Sequence, residues 1–87
     1  MAGTPPPHIV RTPGQLGPLL RALRKDAGLT QADVAGALGM TRQAVSELEN
    51  RPEAASFERL MRLCAVLGAE IALHPRDTSR PARAPEW

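Results

Sequence analysis

The chain has 87 residues, enough for one small domain. Its 11 basic and 9 acidic side chains leave a net charge of +2, and the pI of about 9.5 allows a nucleic-acid partner. The single cysteine, Cys64, excludes an internal disulfide, and we find neither a signal peptide nor an apolar run of about 18 residues, so we expect a cytoplasmic protein that does not bind membranes. Because Phe57 and Trp87 are the only aromatic residues, single-strand binding by base stacking is disfavoured.

Residues 1–11 are predicted to be a flexible arm, since they contain three consecutive prolines and no periodic apolar pattern. Ile9-Val10 either forms a short strand or packs against the core. Thr12 then has the features of a helix cap, and the sequence leaves two alternatives for the first helix. It begins at Pro13 and is kinked near Pro18, which we prefer, or a turn precedes a helix that begins at Gly17-Pro18. One face of this helix carries Leu16, Leu19, Leu20 and Leu23.

The stretch Thr30 to Asn50 predicts two short helices joined by a glycine turn. Thr30 and Asp33 have the spacing of a capping box at the start of the first helix. Gly39 lies where that helix must end in a left-handed conformation, and Thr41 is placed to cap the next one. The apolar residues predicted to face a common core are Val34, Leu38, Met40, Val45 and Leu48.

The second of these helices leaves a polar face outside the predicted core. Arginine, glutamine, serine and asparagine are side chains that contact base edges and phosphates in the major groove of DNA. Such a face is also what any solvated helix presents, and Glu47 is more simply explained as a solvated acid. The residues concerned are Arg42, Gln43, Ser46, Glu47 and Asn50.

A fourth helix is predicted after Ser56, whose hydroxyl can cap it. Its apolar residues repeat every three to four positions. Leu63 and Val66 widen the apolar face beyond the needs of one small core, so we predict that they contribute to a dimer interface. The core residues of this helix are predicted to be Phe57, Leu60, Met61, Cys64 and Leu67.

The period changes after this helix, because apolar Ile71 and Leu73 alternate with polar neighbours as in a half-buried strand. Unless Ile9-Val10 pairs with it, this strand needs the same strand of a second subunit to complete its hydrogen bonds. Residues 75–87 contain three prolines and three arginines and are predicted to form a disordered tail. Its terminal Trp87 is predicted to bind a partner protein.

Residues 13–68 resemble the lambda-repressor-like, Xre-type helix-turn-helix family, on the pieces TQADVA, TRQAVSELEN and ENRP in that order. The resemblance implies an all-α domain of four to five helices over residues 12–74, to which this chain adds the C-terminal strand that pairs across a dimer. It also implies a structural ion pair between Arg24 and Glu49. The strand and tail are most similar to those of HipB-type antitoxins, whose partners are HipA-type kinase toxins.

The resemblance places the N-terminal end of the second helix of the motif in the major groove, where Arg42, Gln43 and Ser46 would contact bases. It implies contacts to the DNA backbone from Gln31, Thr41 and Asn50, and we add Arg51, which extends from the end of that helix.

The leading hypothesis is a homodimeric repressor that binds a palindromic operator, regulates its own operon and acts as the antitoxin of a HipA-like kinase. The alternatives are a stand-alone Xre-type regulator and an adaptor in which toxin binding dominates. No catalytic grouping, metal site or cofactor is expected, and we do not expect an enzyme.

Overall fold

The computed structural model describes residues 7–76, and residues 1–6 and 77–87 lie outside the described part. Most of the predicted tail, including Trp87, and the first half of the predicted arm are therefore not described. Four helices follow one another as α1 (Leu16–Asp26), α2 (Gln31–Leu38), α3 (Arg42–Asn50) and α4 (Phe57–Val66), with short 3-10 turns at Pro13–Gln15 and Pro52–Ala54. The predicted all-α class is confirmed for this part of the chain.

The start of α1 combines features of both predicted alternatives. The chain becomes helical at Pro13, but it forms a 3-10 turn before the α-helix begins at Leu16. The side-chain oxygen of Gln15 stabilises this turn by accepting hydrogen bonds from the amides of Arg11 and Thr12. Pro18 consequently lies in the first turn of α1, where backbone amides have no intrahelical acceptor, so its missing N–H breaks no helical bond.

The helix-turn-helix segment forms as its caps predict. Asp33 donates its amide to Thr30 Oγ1 at 3.0 Å, and Asp33 Oδ2 accepts from the amide of Thr30 at 2.9 Å. Gly39 ends α2 with φ +66°, in the left-handed region that a residue with a Cβ atom adopts only at a cost. Thr41 Oγ1 then accepts from the amide of Ala44 at 3.0 Å and caps α3.

The core lies where α3 packs against α1 and α2 and where α4 packs against α2. The four residues Val34, Leu38, Val45 and Leu48, predicted as core, are all buried, and Met40 packs partly buried against them. The other buried apolar residues are Leu20, Ala35, Leu63, Cys64 and Leu67.

The orientation of α4 corrects two predictions. Leu63, predicted to face a second subunit, is fully buried at 0% exposure and therefore cannot contact a partner. Phe57 and Met61, predicted as core, are instead 64% and 44% exposed. The reason is that Leu60, Leu63, Cys64 and Leu67 are spaced at i, i+3, i+4 and i+7 and together form the face that packs onto the core.

The segment after α4 carries no strand within the single described chain, and neither do residues 7–11, so Ile9-Val10 does not pair with it here. Ile71 is 42% exposed and Leu73 is 95% exposed. Because a strand exists only through its pairing, a strand that pairs across a dimer stays a prediction. None of the helices within residues 7–76 has the length and apolar character needed to cross a membrane.

Candidate nucleic-acid interface

The N-terminal half of α3 carries the exposed polar surface of the helix-turn-helix. Arg42 and Gln43 are exposed on the first turn, directly after the Thr41 cap, and Ser46 is half-buried one turn further along. Together with Gln31 they line one shallow depression. Four of the seven side chains that we predicted to contact DNA therefore lie at one place on the surface.

Gln31 is the first residue of α2, beside this depression. The first amides of a helix have no intrahelical acceptor, and the positive end of the helix dipole lies there, so a phosphate is favoured at this point. The side chain of Gln31 is partly engaged, because Nε2 donates to Glu49 Oε1 at 3.1 Å. Nε2 keeps a second hydrogen, so both the side chain and the backbone amide of Gln31 can donate to a phosphate.

Behind this surface lies a buried ion pair, which the family resemblance implied. Arg24 Nε donates to Glu49 Oε2 at 2.6 Å, and Arg24 Nη2 donates to Glu49 Oε1 at 3.3 Å. The remaining terminal nitrogen, Nη1, donates to the carbonyl of Leu29 at 2.9 Å. Because Gln31 also donates to Glu49, this one carboxylate joins α1, the start of α2 and the end of α3.

The ionisation of Glu49 follows from a balance of opposing effects. Burial alone would raise the pKa of its carboxyl, but hydrogen bonds from Arg24, Gln31 and Arg21, together with the charge of Arg24, lower it below its ordinary value of 4.5. Glu49 is therefore an anion at neutral pH. The pair fixes the position of α3 relative to α1 and α2, which is a structural role.

Asn50 and Arg51 lie at the opposite end of α3 from Arg42, roughly 12 Å away at about 1.5 Å of helix rise per residue. Asn50 Oδ1 accepts from Arg21 Nη2 at 2.7 Å, so the side-chain oxygen of Asn50 is bonded to α1 while its amide nitrogen is not part of this bond. Arg51 is exposed, and its amide donates to the carbonyl of Glu47 at 2.8 Å.

Two residues of this region were not predicted from the sequence. Arg21 contacts both Asn50 and Glu49: its Nη2 donates to Asn50 Oδ1, and its Nε lies 3.5 Å from Glu49 Oε1. Gly17 is buried where α1 meets α3, and a Cβ atom there would overlap the carbonyl oxygen of Glu49. The signal that could have found Arg21 is its spacing of three residues from Arg24, which puts both side chains on one face of α1.

Most of the described chain matches a known protein family. A family model described as "Helix-turn-helix domain" matches residues 15–76. The chain belongs to this helix-turn-helix family. It is a family of DNA-binding regulators and not of enzymes, and the match extends from the end of the first 3-10 turn to the last described residue.

Individual relatives agree with this family assignment. An uncharacterized HTH-type transcriptional regulator, y4mF of Sinorhizobium fredii, is 29% identical over 62 residues, which are 71% of this chain and 82% of the relative. Among solved structures, a HipB–O1–O2 complex matches with a TM-score of 0.71 at 22% identity, covering 78% of this chain and 99% of that chain. A HipA–HipB–O2–O3 complex matches with a TM-score of 0.73 at 21% identity, covering 80% and 99%. At these identities the structural likeness shows that the fold is shared.

Proposed function

We propose that this helix-turn-helix protein is a sequence-specific repressor that acts in the cytoplasm and binds double-stranded DNA as a homodimer. The observation that carries the proposal is the exposure of Arg42 and Gln43 on the first turn of α3, next to Ser46 and the N-terminus of α2. In helix-turn-helix proteins this part of the second helix enters the major groove.

The chemistry of these side chains suits base recognition. Arginine donates two hydrogen bonds to guanine, glutamine pairs with adenine, and each such contact discriminates between bases by about 1–3 kcal/mol. Phosphates on either side of the contacted bases are proposed to be bound by the backbone amide of Gln31 and by the side chains of Thr41, Asn50 and Arg51. The Thr41 oxygen is used by its cap, but its hydroxyl proton is still available to donate.

A dimer is proposed because one small domain reaches too few phosphates to bind tightly at physiological salt. The exposed apolar residues Ile71 and Leu73, with the half-buried Val66, are the proposed contact surface. Two copies would place their α3 helices about 34 Å apart, so the operator is proposed to be a near-palindrome.

We further propose that the protein is the antitoxin of a HipA-like kinase and represses its own operon. Two features support this: the fold is shared with HipB, which has been solved in a HipA–HipB–O2–O3 complex, and an exposed segment follows α4. Trp87, outside the described residues, is the proposed anchor on the kinase. If no kinase binds, the protein is a stand-alone regulator.

DNA binding is tested by selection from a random double-stranded library with the full-length protein. The proposal predicts recovery of an inverted repeat with half-sites about one helical turn apart. Recovery of no common sequence from the folded protein would refute it.

Toxin binding is tested by co-expressing the full chain, or a chain lacking residues 75–87, with a kinase-like product of the neighbouring reading frame. We expect the full chain to co-purify with that product and the truncated chain to lose it while both still bind the selected DNA. Equal capture by both chains would refute the role of the tail, and no capture by either would favour the stand-alone regulator.

A further inference from the structure

Arg21 of α1 bridges the buried and exposed parts of the proposed DNA interface. Its Nε lies 3.5 Å from Glu49 Oε1, and its Nη2 donates to Asn50 Oδ1 at 2.7 Å. The Arg21 side chain is 43% exposed, whereas that of Glu49 is 1% exposed. One guanidinium group thus connects a fixed carboxylate to a solvent-facing amide.

The chemistry of these two groups fixes the orientation of the Asn50 amide. A guanidinium has only donors, so the atom of Asn50 that faces Arg21 must be the carbonyl oxygen. The amide nitrogen is then on the other side of the group, and within residues 7–76 no acceptor takes either of its hydrogens. Held this way, Asn50 offers donors to the solvent, and a phosphate has only acceptors.

Arg21 also makes the net charge at the C-terminal end of α3 favourable for a phosphate. A helix C-terminus carries a partial charge of roughly −0.5, which repels a phosphate. Glu49 adds a negative charge, and Arg24 offsets it within the buried pair. Arg21 supplies the second guanidinium against this single carboxylate, so the cluster of Arg21, Arg24 and Glu49 is positive by one charge.

We infer that Arg21 is a positioning residue of the DNA interface, which orients the carboxamide of Asn50 to donate to a DNA phosphate and makes the local charge favourable for it. This inference rests on the proposed function. It assigns a role at the interface to a side chain of α1, outside the helix-turn-helix itself.

The test is a double-mutant cycle on DNA affinity, measured by fluorescence anisotropy with the full-length protein and the duplex recovered by selection. We expect Arg21→Ala to weaken binding about tenfold in the wild type and only about two- to threefold in an Asn50→Ala background, because orientation is then irrelevant and only the charge is lost. Lys25→Ala is the matched control, since Lys25 is an exposed cation of α1 without a described side-chain hydrogen bond, and we expect a change of less than about twofold.

Equal fold-losses on removing Arg21 in both backgrounds, or no loss in either, would overturn the inference. Asn50→Asp gives an independent check that leaves Arg21 in place: it keeps an acceptor toward Arg21 but replaces the outward donor with an acceptor. We expect it to bind more weakly than Asn50→Ala, and wild-type affinity would overturn the inference. If the wild-type protein binds no DNA at all, the proposed function has failed; if it binds but the cycle is additive, only the role of Arg21 has failed.

Discussion

The guanidinium of Arg24 and the carboxylate of Glu49 meet at 2.6 Å across 25 residues of sequence, with both side chains almost completely buried. The proposed base-contacting residues begin seven positions before Glu49 on the same helix, so this pair determines how the α3 surface stands relative to α1 and α2. Within the described residues no buried side-chain polar atom lacks a hydrogen-bond partner. A buried ion pair with satisfied partners fixes geometry more than it adds stability.

Removing only one member of this pair should nevertheless lower the stability of the fold, because the other charge stays buried. Glu49→Ala leaves the Arg24 guanidinium buried without its anion, and we expect the free energy of unfolding to fall by about 3–5 kcal/mol in urea denaturation. Glu47→Ala, which removes an exposed carboxylate of the same helix, is the control, with a change below about 0.5 kcal/mol. Equal losses would show that burial of the pair is unimportant.

Acid should weaken the fold through the same carboxylate. Because the pKa of Glu49 is lower in the folded chain than its ordinary value of 4.5, its contribution to stability is complete above that value and is lost as the pH falls through the folded pKa. The pKa of Asp33 is also lowered, by hydrogen bonds from the amide and hydroxyl of Thr30, so it acts in the same direction. The urea concentration at the unfolding midpoint should decrease as the pH is lowered below 4.5. This decrease should be shallower for Glu49→Gln. An unchanged profile for that variant would contradict the assignment.

Substitution of glycine by alanine should have opposite effects on stability at Gly17 and at Gly36. Gly17→Ala introduces a Cβ atom that overlaps the carbonyl oxygen of Glu49, so α1 must move away from α3, and we expect a loss of about 1–3 kcal/mol. Gly36→Ala, in α2 with open space around its Cα, should stabilise the chain by about 0.5–1 kcal/mol through helix propensity. Thermal unfolding of the two variants distinguishes the sites. A Gly17→Ala protein as stable as the wild type would argue against the close approach of α1 and α3.

The corrected position of Leu63 gives a further prediction. Leu63→Ala should lower the free energy of unfolding by about 2–5 kcal/mol, because it opens a cavity in the core. Leu73→Ala should leave the stability of the single chain unchanged, since this side chain is 95% exposed. If Leu73 contacts a second subunit, the variant should instead dissociate at a higher concentration in analytical ultracentrifugation. Unchanged dissociation would exclude Leu73 from the interface.

Local chemistry explains which parts of the fold were predictable. The cap of Thr30 with Asp33 and the left-handed Gly39 obey rules that involve a few neighbouring residues, and both were predicted correctly. The face of α4 was not, because apolar residues surround more of this helix than its core contact needs. Which of them is buried depends on how α2 and α4 pack. Leu63 is therefore in the core and Phe57 is exposed, contrary to the prediction for each.

The site was predictable to a similar extent. Arg42 and Gln43 follow a cap on an exposed turn, so their exposure follows from helix periodicity. The contacts of Arg21 with Asn50 and the close approach at Gly17 depend on how α1 crosses α3. Both join residues about 30 positions apart, and no pattern within a single helix specifies them.

The most direct test of the account is the sequence preference of an Arg42→Ala protein, measured as affinities for the selected operator and for each single-base variant of it. The account predicts that the wild type discriminates at the position read by Arg42 by about 1–3 kcal/mol and that Arg42→Ala loses this discrimination there. Asn50→Ala should instead lower affinity evenly across all sequences. An Arg42→Ala protein with the wild-type affinity and the wild-type preference at every position would contradict the claim that this face of α3 reads DNA.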